Sequence, residues 1–316
     1  MKLRIKKLLN SFTPKITSDL LKERPPFPKK AKIEITTRCD LKCYYCKLTR
    51  NNPQKEMSEF LVKKILQDLK NNGVEQVGLF WLGEPLFNKK LSEYIKFSKK
   101  IGIKYVFITT NGRMAVPERI IDIIDSGIDS IKFSINSSTR EEYYNTTKVD
   151  AFDQVIENLK SLKKIRGSSK KPRIIASSIF LPSNVEEFYK INSMIQPYVD
   201  KHYPLHIYGD KNIIKHKNIT KKDNDHKIIK KSKKNSRALQ SMLPCWSVFA
   251  EPHINYDGKI GSCFCDNDEK HVMGDLKKNS LMEVWHSEKF VKLRRKHLKK
   301  NVSGTSCENC IAYSTR

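Results

Sequence analysis

Three cysteines within one short segment constrain this chain more than any other feature. Cys39, Cys43 and Cys46 have the spacing Cys-x3-Cys-x2-Cys and follow directly after the apolar segment 33–37. Three thiolates from one loop can surround a cubane iron–sulfur cluster, which usually has four cysteine ligands. The next cysteine is Cys245, far outside this segment, so one iron would stay open to an external ligand. The alternative is a zinc site completed by a distant His or Cys, although zinc typically prefers Cys-x2-Cys pairs.

Strand and helix signals alternate through the first two thirds of the chain. Repeated strand–helix units predict a parallel sheet, either open or closed into a barrel. We therefore expect an α/β protein with a partial (β/α)6 TIM-like barrel and a small C-terminal α+β cluster-binding domain. The predicted strands are 33–37, 76–81, 105–109, 130–135, 173–180 and 202–208; the predicted helices are 90–101, 117–126, 152–164, 185–195 and one that Ser58 begins.

Polar residues follow several of these strands at the point where each strand ends. Gly83-Glu84-Pro85 follows the second predicted strand, Asn111 the third and Asn136 the fourth. Functional groups of parallel α/β folds gather at the carboxyl ends of the strands. We therefore expect these residues and the cysteine triplet to share one rim.

The chain divides into four predicted segments. They are an N-terminal extension (1–30), the strand–helix core (31–208), a lysine-rich linker (209–242) and a C-terminal domain (243–316). In the C-terminal domain, residues 253–260 predict a hairpin with Asp257-Gly258 at its turn, and residues 281–297 predict a helix. A bound metal or cluster would help to stabilise so small a unit.

Five further cysteines lie in the C-terminal domain. Cys245, Cys263, Cys307 and Cys310 are well spread and include one Cys-x2-Cys pair, which suits either a structural zinc or a second cluster. Such grouping in a chain without a secretory signal favours metal ligation over disulfides. The spacing leaves Cys265 unassigned.

The core, residues 31–208, resembles the radical S-adenosylmethionine (SAM) superfamily. The resemblance rests on the triplet with Tyr45 before its last cysteine, and on Gly83-Glu84-Pro85, which is similar to the family motif Gly-Gly-Glu-Pro with Leu82 in place of the first glycine. It implies a [4Fe-4S] cluster on the triplet with SAM on its open iron. Reductive cleavage of SAM would then give a 5′-deoxyadenosyl radical that abstracts hydrogen from a substrate.

The same resemblance implies a set of SAM-binding residues. They are Gly83 and Glu84 at the methionine amino group, Tyr45 near the adenine, Ser134 and Asn136 near the ribose, and Pro85 and Asn111 elsewhere on the rim. An external one-electron reductant of the flavodoxin or ferredoxin type is implied as well.

Residues 243–316 resemble the SPASM/twitch extension, which carries auxiliary iron–sulfur clusters. The similar features are Pro244-Cys245-Trp246, the turn before Cys263, Met273-Gly274-Asp275 and Val284-Trp285. Full SPASM domains usually carry seven cysteines, whereas five here imply one auxiliary [4Fe-4S] cluster on Cys245, Cys263, Cys307 and Cys310. This spacing is similar to that of the radical SAM dehydrogenase of 2-deoxystreptamine-type aminocyclitol biosynthesis. Cys265 is then an alternative ligand, a hydrogen-atom donor as in radical SAM epimerases, or an ordinary half-buried thiol.

The strong positive charge is a weak functional signal. The formal net charge is +27, with 61 Lys and Arg against 34 Asp and Glu, which invites a nucleic-acid interpretation. However, interleaved aromatic and basic residues of the kind that bind single strands are missing from the sequence, and a solvated linker explains the lysines of 211–234. The sequence has neither a membrane-spanning run nor a signal peptide, so we expect a cytoplasmic protein.

Three functions remain open. The first is radical SAM oxidation or epimerisation of a small hydroxylated, sugar- or cyclitol-like substrate, with the auxiliary cluster accepting an electron. The second is a SPASM-type peptide (RiPP) maturase, for which the 30 residues before the first predicted strand are short as a leader-binding domain. The third is a non-catalytic basic metal protein that binds nucleic acid. Candidates for a general base are His202, His206, Arg113 and His253.

Overall fold

One nine-stranded sheet is the framework of the molecule. The computed structural model describes residues 19–46, 54–180, 185–206, 244–245, 247–263, 271–305 and 307–308. The strand order is β6-β5-β4-β3-β2-β1-β7-β8-β9. The strands are β1 (Lys30–Ile33), β2 (Gln76–Gly78), β3 (Tyr105–Thr110), β4 (Ser130–Ser134), β5 (Arg173–Phe180), β6 (Lys201–His206), β7 (His253–Ile254), β8 (Lys259–Gly261) and β9 (Val272–Asp275).

The sheet is parallel from β6 to β7 and antiparallel beyond. Strands β1 to β6 pair in sequence order, which is the arrangement of a partial (β/α)6 barrel. Among the described residues the outer strands β6 and β9 do not pair with each other, so the sheet is open. The predicted α/β class and partial barrel are confirmed.

Helices cover one face of the sheet. They are α1 (Glu59–Asn71), α2 (Leu91–Lys100), α3 (Pro117–Asp125), α4 (Arg140–Thr147), α5 (Phe152–Arg166), α6 (Val185–Ile195), α7 (Ser247–Ala250), α8 (Leu281–Trp285) and α9 (Glu288–Leu298). The predicted cap of α1 is present, because the Ser58 side chain accepts a hydrogen bond from the Leu61 amide. Apolar strand residues such as Ile33, Val106 and Ile131 alternate toward these helices and form the core. The other strand residues point to the inner face of the partial barrel.

The structure differs from the local predictions at three main places. β1 ends at Ile33, and the segment predicted as strand pairs instead with the loop before α1, where the Met57 amide donates to the Ile35 carbonyl at 3.0 Å. α4 was not predicted. The predicted helix 281–297 is two helices, since Ser287 caps a new helix by accepting from the Phe290 amide at 3.4 Å.

The C-terminal domain shares the sheet of the core. β7 lies parallel beside β1, with Lys32 opposite His253 and Ile33 opposite Ile254. The predicted hairpin is confirmed: β7 and β8 pair antiparallel, and Gly258 at the turn has a φ of +77°. The predicted linker 209–242 lies outside the described residues. No described helix is both long enough and apolar enough to cross a bilayer.

Candidate cluster and cofactor site

The loop that carries the cysteine triplet is held by α4. The Lys42 amide donates to the Thr147 carbonyl at 2.9 Å, and the Tyr44 amide donates to the Thr146 carbonyl at 3.2 Å. The Cys46 amide donates to the Cys43 carbonyl at 3.0 Å and closes a tight turn. Backbone bonds alone therefore fix the second half of this loop against the end of a helix. Thr139 followed by Glu142, a capping-box pattern, was the sequence signal that could have located α4.

Cys39 lies beside a polar cluster at the end of β3. Asn111 Nδ2 is 3.9 Å from Cys39 Sγ and donates to Asp40 Oδ1 at 2.8 Å. The guanidinium of Arg113 binds the other oxygen of Asp40 at 2.6 Å. The structure thus brings Asn111 to the triplet, as predicted. Asp40, which sequence reasoning missed, adjoins Cys39; it binds Asn111 through a hydrogen bond and Arg113 through an ion pair.

The Gly83-Glu84-Pro85 motif is packed against the start of the triplet loop. A Cβ at Gly83 would lie 2.1 Å from the Thr36 carbonyl oxygen, so a side chain cannot fit there. The Glu84 amide donates to the Arg38 carbonyl at 2.7 Å, and Pro85 begins a short 3-10 helix. The motif therefore positions the backbone that leads into Cys39.

The Glu84 carboxylate is buried and satisfied within the protein. It accepts from the Asn111 amide at 2.6 Å, the Thr110 hydroxyl at 2.8 Å and the Leu86 amide at 3.1 Å. Burial raises the pKa of Glu84 to about 7 despite these donors. Glu84 thus ties the end of β3 to the motif. The predicted role of this carboxylate at the methionine amino group stays a prediction.

Tyr45, Ser134 and Asn136 converge at the ends of β4 and β5. Asn136 Nδ2 donates to the Tyr45 hydroxyl at 2.7 Å and lies 3.2 Å from Ser134 Oγ, to which it also donates. The side-chain oxygen of Asn136, Oδ1, accepts from the Ile179 backbone amide at 2.8 Å, which fixes the side chain. All three predicted adenine and ribose residues are thus one hydrogen-bonded group, half-buried on the rim.

The thiols of the triplet fit a cubane better than a single ion. Burial raises the pKa of both Cys39 and Cys43 to about 12, so the apoprotein holds them as thiols and cluster binding releases their protons. Within the described residues, no three His, Cys, Asp or Glu side chains converge as a single-ion cage requires. A cubane binds its three cysteines through three different irons, so its ligands surround the cluster instead of meeting at one point.

An imidazole joins two of the C-terminal cysteines. His297 is fully buried; its Nδ1 accepts from the Cys245 amide at 3.4 Å, and its Nε2 lies 3.3 Å from Cys307 Sγ. Burial lowers the pKa of His297 to about 4, so the ring is neutral. Because Nδ1 accepts a hydrogen bond, the single ring proton is assigned to Nε2, which donates to Cys307 Sγ. Cys263 is half-buried just after β8. Cys265 and Cys310 lie outside the described residues.

The general-base candidates are mostly engaged in packing. His202 contacts Ser178 Oγ at 2.7 Å and Asn192 Oδ1 at 3.1 Å, and burial lowers its pKa to about 4. His253 is fully buried beside the Trp81 ring. Arg113 is paired with Asp40, as described above. His206 ends β6.

Comparison with known sequences identifies two domains. The family model of the radical SAM superfamily matches residues 33–191, and that of the SPASM iron–sulfur cluster-binding domain matches residues 245–311. A GTP 3′,8-cyclase of Chlorobaculum tepidum is 31% identical over 134 residues, 42% of this chain and 40% of that protein. An uncharacterised protein of Methanocaldococcus jannaschii is 29% identical over 194 residues, 59% of this chain and 61% of that protein. The chain therefore spans less than two thirds of these curated relatives.

Solved structures show the same fold. BtrN in complex with AdoMet and 2-DOIA has a TM-score of 0.59 at 18% identity, covering 90% of this chain and 93% of that one. Streptococcus suis SuiB bound to SAM has a TM-score of 0.68 at 16% identity, covering 93% of this chain and 77% of that one. The protein anSMEcpe with bound AdoMet and a peptide has a TM-score of 0.61 at 14% identity, covering 84% of this chain and 83% of that one. Together with the family matches, the cysteine loop and the rim show that the chain belongs to the radical SAM superfamily, binds a [4Fe-4S] cluster with SAM, and carries a C-terminal SPASM domain for auxiliary iron–sulfur binding.

Proposed function

We propose that this enzyme oxidises a small hydroxylated, sugar- or cyclitol-like molecule, as a dehydrogenase. The observation that carries the proposal is the cysteine content of the C-terminal domain. Its five cysteines, Cys245, Cys263, Cys265, Cys307 and Cys310, suffice for one four-cysteine cluster but not for two. A fully ligated cluster has no open iron for substrate, which suits a role as electron acceptor. Epimerisation with Cys265 as hydrogen donor is the variant of this chemistry that the same residues would also permit.

The residues of the rim have distinct tasks in this proposal. Cys39, Cys43 and Cys46 would hold the cluster, which, when reduced by an external flavodoxin- or ferredoxin-type donor, would supply the electron for cleavage of SAM to methionine and a 5′-deoxyadenosyl radical. Tyr45 and Asn136 orient the adenosyl part, because their side chains bind each other and face the same rim. The substrate loses a hydrogen atom from carbon, a proton from its hydroxyl and one electron, which leaves a carbonyl.

Asp40 and Glu84 act as positioning residues. Asp40 receives hydrogen bonds from both Asn111 and Arg113, which fixes the residue next to Cys39. Glu84 fixes the end of β3 from the opposite side. Both carboxylates are held by the protein before any cofactor binds, so the site is preorganised.

Anaerobic reconstitution followed by a SAM-cleavage assay tests the proposal. About eight irons per chain are expected from two cubanes. With strong reductant, 5′-deoxyadenosine should form, and a panel of carbon-deuterated polyols and aminocyclitols should include one that transfers deuterium to it and yields a ketone. The absence of 5′-deoxyadenosine from a fully loaded enzyme would refute the radical chemistry.

Peptide maturation is the second candidate, favoured by one specific observation. SuiB bound to its precursor peptide covers 99% of this chain at a TM-score of 0.69. Deuterium transfer from a labelled peptide instead of a polyol would establish this function. A product with an inverted centre instead of a ketone, abolished in a Cys265→Ala variant, would establish epimerisation.

A further inference from the structure

Three lysines point to the inner face of the partial barrel below the rim. Lys30 and Lys32 lie on β1 and Lys132 lies on β4. We refer to them as the lumen lysine cluster. Their ammonium groups surround two aromatic rings: Lys30 lies 5.2 Å from the centroid of Phe107, while Lys32 and Lys132 lie 5.6 and 5.8 Å from that of Phe80. The two rings contact each other at 5.6 Å, so the three cations form one group.

The carboxylate of Glu251 neutralises part of this charge. Its Oε1 lies 2.7 Å from Lys30 Nζ and 3.2 Å from Lys32 Nζ, and its side chain is 4% exposed. Burial opposes its ionisation, but Lys32 and Lys30 outweigh that effect and hold the pKa of Glu251 below its usual range. Glu251 therefore accounts for one of the three positive charges.

Lys132 is the lysine of the cluster that does not pair with Glu251. Among the described residues no carboxylate lies within ion-pair distance of Lys132, and the face of Phe80 is its recorded contact. Its side chain keeps some accessible surface, unlike its buried neighbours Ile131 and Phe133. Burial, together with Lys32 and Lys30, lowers the pKa of Lys132 to about 7. Since a buried cation without a counter-ion is unfavourable, an anion at this point would relieve the strain of like charges.

The neighbouring imidazole does not add to the charge. Burial, and next Lys32, lower the pKa of His253 to about 3, so the ring is neutral near pH 7. With Glu251 shared by Lys30 and Lys32, a protonated Lys132 therefore has no ion-pair partner among the described residues.

The position of Lys132 relates this charge to the SAM site. Lys132 and Ser134 are alternate residues of β4, so their side chains leave the same face about 7 Å apart along the strand. Ser134 belongs to the hydrogen-bonded group with Asn136 and Tyr45 at the rim. A molecule that reaches from Lys132 to the rim would thus span only a few bonds.

We propose that the lumen lysine cluster, with Lys132 as its principal donor, binds an oxyanion of the substrate, a carboxylate or phosphate group. This inference deepens the proposed function and rests on it, because the bound oxyanion is part of the substrate of that reaction. The oxyanion would accept from Lys132, with Lys32 on its other flank, since both ammonium groups lie beside the Phe80 ring. The anchored molecule would then present its carbon–hydrogen bond toward the rim above.

Anion titration of the reconstituted, SAM-loaded enzyme tests the proposal. Inorganic phosphate and succinate serve as separate probes for the two kinds of oxyanion, in low-salt buffer under anaerobic conditions. The wild type should bind at least one of them without displacing SAM. Lys132→Met should weaken that binding by about tenfold or more, the value of a charge-assisted hydrogen bond. Lys132→Arg should retain most of it.

Lys104→Met is the matched control. Lys104 has a side chain 70% exposed and pairs with Glu75 before β3, so its loss removes the same charge from the surface. This variant should bind the probes as the wild type does. Calorimetry in two buffers of different ionisation enthalpy should also show proton uptake near pH 7.5, because an anion raises the pKa of Lys132.

Four results would overturn the inference: no binding of either probe, equal affinity in Lys132→Met, competition with SAM, or equal loss in Lys104→Met. If Lys132→Met fails to fold, acylation of the wild type decides, since the bound probe should slow modification of Lys132 but not of Lys104. Formation of 5′-deoxyadenosine is measured in parallel. An enzyme that cleaves SAM without Lys132-dependent anion binding refutes the inference alone, and the reverse result refutes the proposed function alone.

Discussion

The two groups of cysteines in this chain are held in opposite ways. Cys39, Cys43 and Cys46 lie in one loop, whose backbone is bonded to the end of α4 and whose entry is pressed against Gly83. Cys245 and Cys307 come from opposite ends of the C-terminal domain and meet through the His297 imidazole. The first site is therefore built by local chain geometry, and the second by packing between distant segments. The difference predicts that the two sites can be lost independently.

Removing one ligand from each site gives the largest expected effect. Cys43→Ala should lower the iron content from about eight to about four per chain and abolish 5′-deoxyadenosine formation, because the open-iron cluster is lost. Cys307→Ala, its matched control, should lose a similar amount of iron yet keep SAM cleavage. Iron analysis and chromatography of the nucleoside products measure both. Loss of all iron in either variant would show that the two sites depend on each other.

The backbone contact at Gly83 supplies the second test. A Gly83→Ala side chain would collide with the Thr36 carbonyl, and we expect a loss of at least about 3 kcal/mol of unfolding free energy together with the first cluster. Gly167→Ala is the control, since a Cβ there meets nothing within 4 Å and only its backbone conformation, φ +61° and ψ −133°, opposes the change, at a cost of about 1 to 3 kcal/mol. Chemical denaturation of both variants gives the two values. Equal losses would contradict the importance of the close approach.

His297 offers a test confined to the C-terminal site. His297→Phe should remove the hydrogen bond to Cys307 Sγ and lower the reduction potential of the auxiliary cluster, because the donor stabilises the reduced, more negative state. A hydrogen bond worth about 1 kcal/mol corresponds to roughly 40 mV for one electron. Redox titration followed by electron paramagnetic resonance measures the shift. SAM cleavage should be unchanged, and His297→Gln should restore part of the potential.

Acid provides a further test, through the half-buried His202 on β6 and the fully buried His253 on β7. Burial lowers the pKa of His202 to about 4. Burial, Lys32 and Lys30 together lower the pKa of His253 to about 3, although Glu251 raises it. Both rings are neutral in the folded chain and bind protons when it unfolds below pH 6.5. The two neutral rings therefore make their full contribution to the free energy of unfolding above pH 6.5. This contribution is lost as the pH falls toward 4.

Replacing either ring should flatten this acid response. His202→Gln and His253→Gln should each be less stable at pH 7 by about 1 to 2 kcal/mol, with a smaller further loss at pH 5 than the wild type. His271→Gln, directly before β9, is the control. Denaturation midpoints at pH 7, 6 and 5 give the slopes. A variant slope as steep as that of the wild type would place the titrating group elsewhere.

Features fixed by neighbouring residues could be predicted from the sequence. The triplet spacing, the Ser58 cap and the Asp257-Gly258 turn each specify their own local structure. The rim positions followed from the strand order, because parallel strands end at one edge. Tyr45, predicted near the adenine, and Ser134 and Asn136, predicted near the ribose, are hydrogen-bonded to one another, and their roles toward SAM stay predictions.

Features made by distant residues could not be predicted. The Asp40–Arg113 ion pair joins loops after different strands, and the contact of His297 with Cys307 requires the fold to be known. α4 escaped notice because its sequence is polar, with only Tyr143 and Thr147 buried. Its stability comes from its cap and from its bonds to the cysteine loop, neither of which produces an apolar pattern.

The junction of β1 with β7 has a consequence for how the chain is made. Until Ile254 leaves the ribosome, one edge of β1 has no partner, although the strand itself is complete more than 200 residues earlier. At ordinary translation speeds this interval is roughly 10 to 45 seconds. During that time the nascent chain exposes a strand edge next to three oxidisable thiols. Truncation before residue 253 is therefore expected to yield an aggregation-prone chain, and cluster insertion in the cell to be coupled to completion of the C-terminal domain.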